Sequence, residues 1–268
     1  GGGTDSSNPL SDSNQSGTNY VAWAWDAGTS TVSNTDGSVT SNVRASQANG
    51  CSVVTWTGSS AGQTVGHGLG AAPEWIIVKA RNQTQPWVVY HSALGKGGVL
   101  QLHDTAANIT TYSQYWGTAE PSSTVFGTYT GAYPWANNYG NMVAYCFAPV
   151  EGFSAFGSYE GTGSASTAAF VHTGMRPRWI MFKNIDTGDS SADWVIYDTA
   201  RTSFNSVDDA LFPNRNAAEA NETSHAFDIL SNGFKVRSTS TSGLSNKSGN
   251  TYIYAAFAEH PFKTARAR

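Results

Sequence analysis

Charge, cysteine and long apolar runs are all scarce in this chain. Charged residues fill 13% of its 268 positions, with 15 Lys+Arg against 19 Asp+Glu; a typical soluble domain carries about a quarter. A formal net charge of −4 supplies no basic stripe for a phosphate backbone, so nucleic acid is not an expected partner. Two cysteines, Cys51 and Cys146, are too few for a disulfide framework. No segment approaches the ~20 apolar residues of a spanning helix, so membrane insertion is not expected. The polar opening from Gly1 to Gly17 has neither the basic start nor the apolar run of a signal peptide. Helix signals are few, the best being Asn216–Glu222, barely two turns long.

Motifs of known chemistry are missing as well. The chain has no Gly-x-Ser-x-Gly elbow, phosphate loop, dinucleotide fingerprint or His-Glu-x-x-His pair. No catalytic residue and no cofactor is therefore expected. A glycoside hydrolase would need two carboxylates facing one cleft. The acids near strands, Asp104, Glu120, Glu151, Glu160, Asp193 and Asp198, form no local pair on one strand face. That activity stays open as a minor alternative. Asp186-Thr-Gly-Asp189 and Asp208-Asp209 could offer oxygens to Ca²⁺, although a solvated turn explains them as well, and the metal question is left open. Of the six histidines, only His67 and His172 recur at matching places, which suits a structural position better than a ligand.

What the chain has in quantity is aromatic residues (12%), 28 glycines and neutral polar side chains. This is the profile of a β-rich extracellular or virion-surface protein. It also repeats itself. Pro73-Glu-Trp-Ile-Ile-Val-Lys79 returns 104 positions later as Pro177-Arg-Trp-Ile-Met-Phe-Lys183, and Trp87-Val-Val-Tyr-His91 returns as Trp194-Val-Ile-Tyr-Asp198. Asn141-Met-Val-Ala-Tyr-Cys-Phe-Ala148 returns as Thr251-Tyr-Ile-Tyr-Ala-Ala-Phe-Ala258 and appears once more, earlier, as Asn19-Tyr-Val-Ala-Trp-Ala-Trp25. A period near a hundred residues is too long for a solenoid and suits a small domain. The expectation is all-β: two tandem antiparallel β-sandwich domains, lectin-like or jelly-roll-like, at 47–150 and 151–268. Residues 1–46 would hold a polar segment, the terminal strand of an upstream copy, and a linker or hairpin turning at Asp36-Gly37 with Gly37 at positive φ.

In the first copy, strands are predicted near 51–57, 63–68, 75–79, 87–91, 99–103, 123–129 and 141–148. The runs at Trp75 and Trp87 are apolar at nearly every position, the pattern of central strands shielded on both faces. Cys51 and Cys146 are replaced by apolar residues in the second copy, so they read as buried thiols rather than a bridge. A second set of aromatics lies in loops peculiar to the first copy. Tyr112, Tyr115, Trp116, Tyr133, Trp135 and Tyr139 are the candidate ligand-binding residues, with Tyr129 beside them. Aromatic rings near Asn, Gln and Ser suit sugar stacking, but also subunit contact or loop packing.

Tyr20-Val-Ala-Trp-Ala-Trp-Asp-Ala-Gly28, His67-Gly-Leu-Gly70, Pro73–Lys79, Tyr145-Cys-Phe-Ala-Pro-Val-Glu-Gly152 and Ser231-Asn-Gly-Phe234 together resemble repeat-bearing surface proteins of tailed, especially marine, bacteriophages. The resemblance covers the chain from about Gly17 onward and carries over no catalytic residue. It implies a tail-fibre-like component at the virion surface, outside the cell. Such a protein would contact a host-surface glycan or protein without chemistry and would assemble with other virion proteins and with itself, a trimer being favoured. The alternatives are a capsid-decoration, head-fibre or filament subunit, and the polysaccharide-degrading enzyme considered above.

Overall fold

The computed structural model describes residues 16–111, 114–129, 135–137, 140–239 and 242–259. Among these residues the regular structure is β, apart from two single 3-10 turns. The first half contains β1 (Val32–Asn34), β2 (Ser41–Ser46), β3 (Cys51–Thr57), β4 (Thr64–Gly66), β5 (Trp75–Ala80), β6 (Val88–His91), β7 (Leu100–Gln101), β8 (Val125–Gly127) and β9 (Asn141–Phe147). The second contains β10 (Ser154–Glu160), β11 (Phe170–His172), β12 (Pro177–Asn184), β13 (Trp194–Asp198), β14 (Asp209–Ala210), β15 (Ala220–Asn221), β16 (Phe227–Leu230), β17 (Gly233–Val236) and β18 (Thr251–Ala258).

All paired strands are antiparallel. A seven-stranded sheet runs β1-β2-β3-β9-β5-β6-β7, and a four-stranded sheet runs β10-β18-β12-β13. The order β3-β9-β5-β6 therefore recurs as β10-β18-β12-β13, and the register recurs with it. Trp75 pairs with Phe147 and His91 as Trp179 pairs with Phe257 and Asp198. Smaller sheets, β4-β8 in one half and β11-β17-β16 in the other, lie against these.

Alternation along the central strands builds three cores. In β5, Ile76 and Val78 enter a cluster with Trp56, Val65, Phe126 and Trp116, between the large sheet and β4-β8. Its other face sends Trp75 into a second cluster with Phe147, Trp179, Met181, Trp194 and Phe257, which joins the two large sheets. A third cluster, with Phe182, Tyr197, Phe227 and Phe234, lies between the four-stranded sheet and β11-β17-β16. Burying one such large side chain contributes about 1.5–3 kcal/mol. Strand runs without alternating polarity thus reflect burial on both faces, as their composition predicts.

Several expectations change. Residues 216–219 form no helix, and β15 follows at Ala220–Asn221: Ala and Glu propensity over two turns is too weak to prevail against pairing with β14. The Asp36-Gly37 hairpin exists, Val32 pairing with Val43 and Asn34 with Ser41, but it is the edge of the first sheet because β2 pairs with β3. Gly37 is not at positive φ. Its missing side chain matters because a Cβ there would lie 2.2 Å from the Thr64 carbonyl oxygen. Residues 21–28 form no ladder with any described residue, so the predicted terminal strand is not paired there. Cys51 and Cys146 are buried free thiols, and burial pushes the Cys51 thiol up to about 11.

Candidate functional site

The groove above β4-β8 starts with two glycines. In Gly127 a Cβ would lie 2.4 Å from the Trp116 carbonyl oxygen, and Gly117, at φ +92°, touches Gly127. Without side chains, the loop around residues 114–120 settles against β8. Trp116 anchors that loop: it is wholly buried, its indole N–H donates to the Gly98 carbonyl at 2.9 Å, and its ring meets Tyr90 edge-on at 5.7 Å. Tyr115, also wholly buried, stacks on Tyr129 at 5.6 Å and 11°.

Between that loop and the β4 edge lies a groove of about 460 Å³, lined among others by Ser38, Gln63, Thr64, Gln114, Glu120 and Tyr129. Its wall is preorganised. Thr128 and Gln63 exchange backbone and side-chain hydrogen bonds of 2.9–3.1 Å, and Ser38 and Thr64 do the same at 2.8 and 2.9 Å. Glu120 is held from behind by the Tyr90 hydroxyl and the Lys96 backbone N–H, each donating at 3.0 Å. Burial, reinforced by the Glu120 carboxylate, pushes the Tyr90 phenol up, so it stays a donor. The side-chain oxygen of Gln63 is itself buried and has no hydrogen-bond partner, so Gln63 lines the groove with its other atoms. Amides, hydroxyls, one carboxylate and a phenol ring line the groove.

The six sequence candidates divide. Tyr115 and Trp116 belong to the core rather than to a surface, which corrects the expectation that they meet a ligand: both rings are fully covered. Trp135 is partly buried against the same core. Tyr112, Tyr133 and Tyr139 lie outside the described residues. Tyr129, noted in the sequence beside them, does line the groove. Gln63, Thr64, Gln114 and Glu120 were not singled out as binding residues, because isolated polar residues carry no periodic signal.

Other candidate chemistry is already engaged in structure. Asp193 pairs with Arg215, and Asp198 pairs with Arg201 at 2.7 Å. His67 is fully buried; its Nε2 meets the Ser122 carbonyl at 3.1 Å and its Nδ1 accepts from Leu69 N–H at 3.2 Å. Burial moves its pKa down. Its counterpart His172 is exposed on β11, so the pair shares a sequence position and not an environment. Asp189 accepts from Thr187 and Ser191, which hold its carboxyl down at about 2. Among the described residues, no group of three or more His, Cys, Asp or Glu could hold a metal ion, and no helix is long and apolar enough to cross a membrane.

The family model described as "Domain of unknown function (DUF7483)" matches residues 2–261. No curated protein and no solved structure matches the chain.

Proposed function

The chain belongs to that family, and from its geometry we propose that it is a non-enzymatic attachment protein of tail-fibre type at a virion surface, binding a host-surface glycan in the groove beside Tyr129. The groove itself carries this reading: about 460 Å³, enough for a few sugar units, and lined by Thr64, Gln114, Glu120 and the Tyr129 ring. In this reading each half is one β-sandwich module, and the fold provides a rigid frame for the groove. Weak binding at one site suffices when several chains present it together, as in a trimer with other virion proteins.

Glycan-array screening of the intact protein tests the proposal. Tyr129→Ala and Gln114→Ala should each weaken the signal about tenfold, the loss of roughly one ring contact or hydrogen bond. Binding undiminished in both, or no glycan bound by the parent, would count against it. A hydrolase would need a second carboxylate opposite Glu120, and Glu120 is the one acid among the described lining residues. A purely structural role gains support from Phe204 and Phe170, which are 83% and 48% exposed; Phe204→Ser should then disrupt assembly while leaving glycan binding intact.

A further inference from the structure

The two halves meet head to tail, not face to matching face. Residues 91–108 of the first half lie across β12, β13 and β18 of the second. Trp194 Nε1 donates to the Gln101 carbonyl at 2.9 Å, Lys183 Nζ to the Thr105 carbonyl at 3.1 Å, and Asn108 N–H to the Ile185 carbonyl at 2.9 Å. His91 Nε2 meets the Tyr254 carbonyl at 3.0 Å. Met181, Lys183, Trp194 and Ala255 are buried beneath this ridge. By the repeated register, their counterparts in the first half are Ile77, Lys79, Trp87 and Tyr145. All four are only partly buried, and Trp87 and Tyr145 stack on each other at 6.4 Å. The first half therefore presents the same face, uncovered by any described ridge.

A second observation fixes what would cover it. Trp25, Phe147 and Phe257 occupy one position in the three copies of the repeated strand. They also touch one another, with ring centroids 6.1 Å apart for Trp25–Phe147, 5.3 Å for Trp25–Phe257 and 5.7 Å for Phe147–Phe257. Three equivalent residues meeting in a triangle, with interplanar angles of 72°, 65° and 69°, are the arrangement that a local threefold axis would produce. Head-to-tail contacts close into a ring when their rotation matches such an axis. In the other two copies, β9 and β18 lie between flanking strands, while residues 21–25 have no ladder among the described residues.

We propose that the face formed by Ile77, Lys79, Trp87 and Tyr145 is the docking site of a third copy of this module, completing a closed ring of three around Trp25, Phe147 and Phe257. In that copy, residues 20–25 are the central strand, and the counterpart of residues 91–108 lies across the face. The proposal depends on the correspondence of the halves and not on what the groove binds.

The test adds a duplicate of residues 29–140 immediately before Asn19 of the intact chain, so that residues 20–25 follow it as β9 follows residue 140. Amide hydrogen exchange should slow about 100-fold or more at residues 21–25 and 77–79, and Trp87→Asp in the extended chain should reverse the gain at 77–79. The same substitution in the unextended chain should leave β12 and β18 protected, which separates docking from misfolding. No added protection, whether or not the duplicate folds, overturns the proposal. So does an unextended chain that sediments as a dimer and is made monomeric by Trp87→Asp, because a second whole copy would then be the occupant.

Discussion

Trp116 and Tyr129 come from the same aromatic-rich stretch and meet one core from different positions, the first wholly buried in it, the second partly buried against it and lining the groove. Trp116→Ala should lower unfolding free energy by about 3–5 kcal/mol, the usual cost of emptying a large core site, read by urea denaturation. Tyr129→Ala removes mainly the stack on Tyr115 and should cost about 1 kcal/mol, while weakening the glycan signal. His91 makes a pH prediction. Burial holds its imidazole down at about 4, whereas the unfolded ring titrates near 6.5. The unfolded chain thus gains the proton first on acidification. The stability from the neutral ring is complete above about pH 6.5 and falls by roughly 3 kcal/mol as pH drops to 4. Urea titrations at pH 7 and 4.5 should show this loss, and His91→Gln should flatten it. A remaining slope is expected from His67 and His225, which burial shifts the same way.

At the scale of elements, the strands were legible because their residue types and alternation follow from local burial. The expectation of 51–57 coincides with β3, and the runs at Trp75 and Trp87 differ from β5 and β6 by a residue. Turns were less legible. Gly37 looked like a positive-φ turn glycine, and its role is instead the close passage of Thr64, a contact 27 residues away in sequence. Gly37→Ala should therefore cost about 1–3 kcal/mol through overpacking, measured as a lower denaturation midpoint with an unchanged m-value. Were the glycine needed only for its φ, Asn would be tolerated there; in this structure Gly37→Asn should be at least as damaging as Ala.

Across the whole molecule, the two large sheets share one core, so neither half should melt alone. Calorimetry should show a single transition in which calorimetric and van't Hoff enthalpies agree. Trp194 is the best probe, since it packs in that shared core and bonds to Gln101 of the other half. Trp194→Ala should cost about 3–5 kcal/mol and separate the transition into two. Two transitions in the parent chain would show that the shared core does not couple the halves.

The sequence by itself determined that the chain is all-β, where its central strands lie, and that one pattern of residues recurs, because pleat alternation and β-propensity act over a few neighbours. Only the tertiary structure decided that β2 extends the first sheet, that Tyr115 and Trp116 are core while Gln63 and Glu120 line a groove, and that residues 91–108 bond to β12, β13 and β18. Each of those outcomes depends on which distant segment covers a given face. A residue's neighbours along the chain carry no record of that.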